Sequence, residues 1–110
     1  MSKFVLTIRG RNNIMPSFFG GEDAMYKWLS ETIKYPLQAK ETGIKGTVYI
    51  TFVVEKDGSI TGAQLMRDIG GGCGEEALRV VSLMPKWREG RQSNKPVRVQ
   101  FVLPIKFELE

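Results

Sequence analysis

The sequence predicts an α+β fold with two main helices packed on one face of a small three-stranded antiparallel sheet. Three observations carry that reading. Two stretches, Thr47 to Glu55 and Val97 to Glu108, alternate side chains with the period of a strand. Two others, around Met25-Trp28-Leu29-Ile33 and Ala77-Leu78-Val80-Val81-Met84, place apolar residues at helical spacing. Asp57-Gly58, between two strand-like runs, marks a hairpin.

In chain order, Phe4 to Ile8 is rich in strand formers and reads as a short strand or a leader. Gly10 to Asn13 is turn-like, and Pro16 to Gly21 is irregular. The first helix follows, with Glu22 and Asp23 at its positive N-terminal end. Pro36 stops it, because the residue before a proline is pushed out of helical geometry. A second, short helix starts at Pro36 and ends just before Gly43.

In the strand from Thr47, Val48, Ile50, Phe52 and Val54 share one face. A two-residue turn at Asp57-Gly58 is expected to lead into a returning strand over about Ser59 to Met66, with a bulge where its alternation slips at Gly62. Gly70 to Gly74 is a glycine loop, and a helix is expected from about Glu75 to the stop at Pro85, with Gly74 at its N-cap. Arg88 to Lys95 reads as a polar turn. The last strand, Val97 to Glu108, puts Val97, Val99, Phe101, Leu103, Ile105 and Phe107 on one face.

The composition narrows the function. The 110 residues are 42% hydrophobic and 25% charged, which suits a single globular domain. There are no histidines and one cysteine, Cys73. That leaves neither the commonest general base nor a cysteine-based zinc site nor an intramolecular disulfide. No catalytic residue, metal site or cofactor is therefore assigned. Gly70-Gly71-Gly72-Cys73-Gly74 lacks the spacing of a phosphate loop. Glu22/Asp23 and Glu75/Glu76 sit where helix starts favour carboxylates. Trp28, Phe52, Trp87, Phe101 and Phe107 fall on apolar faces and read as core. Although the net charge is +4, the basic residues are dispersed, and only Tyr49 could serve as a stacking platform, so no nucleic acid is expected.

Pro104 is the informative residue of the last strand. Proline lacks an N–H and is confined to edges, strand starts or bulges, so Val97 to Glu108 is expected to be an edge. With Pro104 facing the open side, Arg98, Gln100, Val102 and Lys106 present their backbone groups there too, as a template for an added strand.

Several ordered pieces of the chain resemble the C-terminal domain family of TonB energy transducers. They are Met15-Pro16-Ser17-Phe18 with Gly20-Gly21, Tyr35-Pro36-Leu37-Gln38-Ala39, Gly43-Ile44-Lys45-Gly46-Thr47-Val48, Phe52-Val53-Val54 and Asp57-Gly58. Glu76-Ala77-Leu78, Met84-Pro85-Lys86-Trp87, Lys95-Pro96-Val97 and Leu103-Pro104-Ile105-Lys106-Phe107 complete the set. Each is weak alone; the ordered set is specific. The likeness delimits a domain over residues 15–108. Residues 1–14 are then a linker or a short extra strand, and Leu109-Glu110 a cloning remnant.

The resemblance implies two helices on a three-stranded antiparallel sheet, in agreement with the pattern above. It also implies a role. Such a transducer is anchored in the inner membrane beside an ion-driven motor, which it would contact through segments outside this sequence. Its C-terminal domain lies in the periplasm and binds the TonB box, a short N-terminal segment of outer-membrane receptors, as a strand added to its last strand. Motor energy is then relayed for uptake of siderophores, cobalamin or other large nutrients. Carried over, the contact falls on Val97, Arg98, Val99, Gln100, Phe101, Val102, Leu103, Pro104, Ile105, Lys106 and Phe107, with Tyr35 and Pro36 as a further contact. A homodimer through edge strands is a second use of the same surface. The chain departs from the family where Thr32-Ile33-Lys34 precedes Tyr35 in place of Gln-Pro, and where Arg88-Glu89-Gly90 follows Trp87 in place of a Pro-Gly turn. The alternative reading is an interaction or sensing domain of another envelope membrane protein, such as a sensor peptidase.

Overall fold

The computed structural model of the chain describes residues 13–108. The Phe4–Ile8 stretch and Leu109-Glu110 lie outside the described residues. The elements are β1 (Asn13–Ile14), α1 (Gly21–Thr32), α2 (Leu37–Thr42), β2 (Gly46–Val54) and β3 (Ile60–Arg67). Then come α3 (Cys73–Ser82), β4 (Gly90–Gln92), β5 (Lys95–Val97) and β6 (Val99–Phe107). They form two antiparallel three-stranded sheets, ordered β3-β2-β6 and β1-β4-β5.

The larger sheet is the expected one. Val48, Ile50, Phe52 and Val54 of β2 are buried, and so are Val99, Leu103, Ile105 and Phe107 of β6. Met25 and Leu29 of α1 and Ala77, Val80 and Val81 of α3 join the same core. Trp87 is its aromatic hub. Its ring meets Phe52 at 5.4 Å and Phe101 at 5.0 Å between centroids, both edge-on. Phe18 approaches it at 6.1 Å. α2 ends as the sequence predicts, at a left-handed Gly43, but starts one residue later than expected, at Leu37, with Pro36 in extended geometry before it.

Four expectations are corrected. The β2–β3 turn is not a two-residue loop. Glu55 N–H donates to Ser59 C=O at 2.8 Å, which leaves Lys56, Asp57 and Gly58 between the paired residues, and Gly58 N–H closes the turn on Glu55 C=O at 2.9 Å. The reason lies in Trp87: Gly58 C=O accepts the Trp87 N–H at 2.8 Å, and a Cβ on Gly58 would stand 2.0 Å from the Trp87 carbonyl oxygen. Only glycine, at φ +89°, lets the two backbones meet there.

The helix expected from Glu75 starts at Cys73, with Gly72 as its N-cap. Gly74 is thus inside the first turn rather than a cap. Its Cβ position lies 2.5 Å from the Asp68 carboxylate, so the glycine makes room for that side chain.

The run Arg88 to Lys95 is not only a turn. β4 and β5 pair across Gln92 and Lys95, and Ser93 and Asn94 both have positive φ, 51° and 66°, as a tight hairpin of primed type requires. Asn13 and Ile14 pair with Gln92 and Arg91, so an extra N-terminal strand is present at 13–14.

The last strand does not run unbroken from Val97. Val97 ends β5 opposite Gly90, and β6 begins at Val99. Between them Arg98 turns away to meet Glu55, its Nε donating at 2.7 Å to one carboxylate oxygen and its Nη2 at 3.3 Å to the other. That pair ties the start of β6 to the end of β2.

Candidate functional site

The site proposed from the sequence is the edge of the larger sheet, and β6 is an edge strand among the described residues. From Val99 to Phe107 it pairs with β2 residue for residue, without a register shift. Gln100, Val102, Pro104 and Lys106 are exposed, Val102 by 45%. Pro104 stands opposite Tyr49. Lacking an N–H, it cannot complete a doubly bonded pair, so its backbone faces away from β2. Strand parity turns Gln100, Val102 and Lys106 the same way. Their N–H groups, and the carbonyls of all four residues, face the open side.

A groove of about 520 Å³ borders the second half of this edge. One wall is α1, through Tyr26, Leu29 and Ser30, continued by Ile33, the extended residue just past its end. The other is the sheet, through Thr47, Tyr49, Pro104, Ile105, Lys106 and Glu108. Ile105 belongs to the core face of β6, and Pro104 and Lys106 to the outer face. A groove lined from both faces opens at the edge between them. The sequence reading named β6 and missed the α1 wall. The signal was present, because residues 26, 29, 30 and 33 follow the i, i+3, i+4, i+7 spacing of one helix stripe.

Electrostatics add little charge to the groove. Lys106 Nζ and Glu108 pair at 3.4 Å, both well exposed. At the other end of β6 the Glu55 carboxyl is held below the usual carboxylate range by its bonds from the Arg98 guanidinium and then from the Thr61 hydroxyl. α1 is positioned from its C-terminal end by α3. Lys34 N–H donates to Glu76 at 2.6 Å, and Arg79 donates to both Glu76 oxygens and, at 3.1 Å, to the Thr32 carbonyl. Glu76, read from the sequence as a dipole-complementing residue, therefore also satisfies the end of a second helix.

The structure puts the remaining sequence-derived residues to internal use. Val97 and Arg98 lie before the β6 ladder, for the reason given above. The Tyr35 hydroxyl donates to the Ile44 carbonyl, and its ring meets Phe107 edge-on at 5.5 Å. Pro36 caps α2. Cys73 is fully buried, and burial, then the nearby Asp68 carboxylate, push its thiol pKa up, the opposite of what an activated nucleophile needs. Among the described residues no cluster of His, Cys, Asp and Glu could hold a metal ion.

Comparison with known proteins bears on the same residues. The family model of the Gram-negative bacterial TonB protein C-terminal matches residues 31–109. No curated protein matches the chain. Two solution structures of the Helicobacter pylori TonB C-terminal domain share its fold, each with 24% sequence identity. The one spanning residues 194–285 of that protein has a TM-score of 0.56, covering 80% of this chain and 95% of its own. The one spanning residues 179–285 has a TM-score of 0.57, covering 78% of each. With the family model spanning well over half of the sequence, the chain belongs to the TonB C-terminal domain family.

Proposed function

We propose that this domain is the receptor-contacting part of a TonB-type energy transducer, and that it takes the TonB box of an outer-membrane receptor as a further strand on β6. The observation that carries the reading is the β6 edge: unbulged against β2, with a row of outward backbone acceptors and of donors interrupted at Pro104. Energy transduction is the family's role; the receptor contact and its position on residues 99–107 are the proposal. An interface of one short strand is small, which suits a contact that must form and release. On this reading the domain, over residues 15–108, works in the periplasm, and an inner-membrane anchor and motor contacts belong to other segments. It performs no catalysis: the contact needs backbone hydrogen bonds and shape, not a reacting group.

Amide NMR titration with a synthetic TonB-box peptide, at two protein concentrations, tests it. The expected result is shifts concentrated on Gln100, Val102 and Lys106 and on their neighbours in residues 99–107. Shifts that depend on protein concentration and not on peptide would mean that a second copy of the chain occupies the edge. That result would overturn the receptor reading in favour of a self-associating or sensing module.

A further inference from the structure

We infer that the groove between α1 and β6 selects an uncharged, apolar side chain of the strand added at β6, so that α1 reads the partner's sequence while β6 holds its backbone. The inference rests on the strand-addition reading above and deepens it.

A backbone ladder alone is indifferent to sequence, and pockets for alternate side chains supply the specificity in strand addition. Along an added strand, successive side chains point to opposite faces of the extended sheet. Those on the outer face would lie beside Pro104 and Lys106. Those on the core face would lie beside Ile105, and next to the second half of β6 that face is walled by α1. The groove is continuous with the open backbone groups of Pro104 and Lys106, so a strand held there places a core-face side chain into it.

The lining decides which side chain. Leu29 and Ile105 are buried at its base, with Ile33 half-buried beside them and Pro104 at the rim. The Ser30 hydroxyl already donates to the Lys27 carbonyl at 2.8 Å. Among the described residues, the only charged groups lining the groove, Lys106 and Glu108, pair with each other. A carboxylate or ammonium entering would lose water without meeting an unpaired opposite charge. An aliphatic side chain loses nothing and gains contact. Tyr26, 47% exposed on the α1 wall, is the residue positioned to close over it.

The test uses the whole domain and synthetic TonB-box peptides in which each alternate position is in turn Val, Ser or Asp, with binding read by fluorescence anisotropy. At one position Val should bind roughly tenfold tighter than Ser, the size of discrimination a small apolar pocket can give. Ser30→Arg, which fills the groove, and Tyr26→Ala, which opens it, should each reduce that preference to about threefold or less. Both residues are exposed, and thermal melting monitors the fold; should Ser30→Arg unfold, Tyr26→Ala decides. Val102→Pro separates the two levels, because it removes an outward N–H and should weaken binding of every peptide by roughly tenfold or more. If Val102→Pro weakens binding of every peptide while both groove variants keep the full Val-over-Ser preference, the groove inference is wrong and strand addition stands. If Val102→Pro leaves affinity unchanged, both fall together.

Discussion

The larger sheet has two edges among the described residues, β3 and β6, and they are built differently. β3 meets β2 with two register shifts, one across the Gly62-Ala63 region and one at Met66. β6 meets β2 with none over nine consecutive residues. Each bulge strengthens local twist and leaves a residue unpaired, so β3 is a poor template for another strand, even though Leu65 and Met66 are exposed by 37% and 63%. β6 keeps an even spacing of outward groups. Two edges of one sheet thus differ in what they invite. The difference lies in backbone register, not in hydrophobicity, since β3 has its own exposed apolar side chains.

Proline substitutions break the comparison most sharply. Ile50→Pro, in the central strand, removes a ladder donor with strands on both sides, and the domain should lose cooperative folding by circular dichroism. Leu103→Pro should cost about 3 kcal/mol or more in urea denaturation, because strand parity turns the Leu103 N–H toward β2. Val102→Pro, one residue away, should cost less than about 1 kcal/mol, because its N–H faces outward. A larger cost for Val102→Pro than for Leu103→Pro would show that the parity assigned from Pro104 is reversed.

The smallest effect concerns the corner where the chain passes from β5 into β6. Glu55 has a folded-state pKa below its ordinary value, so its bonds to Arg98 and Thr61 stabilise the fold at neutral pH, and that contribution is lost as pH falls through the lowered pKa. Glu55→Gln should remove roughly 1 kcal/mol at pH 7 and flatten the acid limb of stability against pH. An unchanged acid limb would show that the pair contributes nothing to holding β6 in place.

Much of this was legible in the sequence where one physical signal dominates. Alternation in residues 47–55 and 97–108 marked the two long strands, because one face of each is buried and the other is not; the second begins two residues later than that pattern, at Val99. Helical stripes before Pro36 and Pro85 marked α1 and α3 for the same reason. Pro104 alone carried the edge. The rest was hidden because it depends on contacts distant in sequence. β4 and β5 are three residues each, without alternation, and joined by Ser93-Asn94 rather than by a strong turn pair, so Arg88 to Lys95 carries no strand signal. The turn at Gly58 is lengthened by a backbone approach from Trp87. α3 starts early because Asp68 occupies the space a side chain at Gly74 would need. The α1 wall of the groove became recognisable once β6 was seen beside it.

Pro104 also makes the open edge a ladder with one rung missing. A strand lying on β6 would have to leave one of its own carbonyls facing that gap, and a buried acceptor without a donor costs about 1–3 kcal/mol. Side-chain alternation allows such a strand to slip only in steps of two residues. Each step moves a different carbonyl of the guest over the gap and a different side chain beside α1. A pulled strand would therefore meet a notch rather than a smooth rail, and the place of that notch is set by the one residue of the row that has no N–H to give.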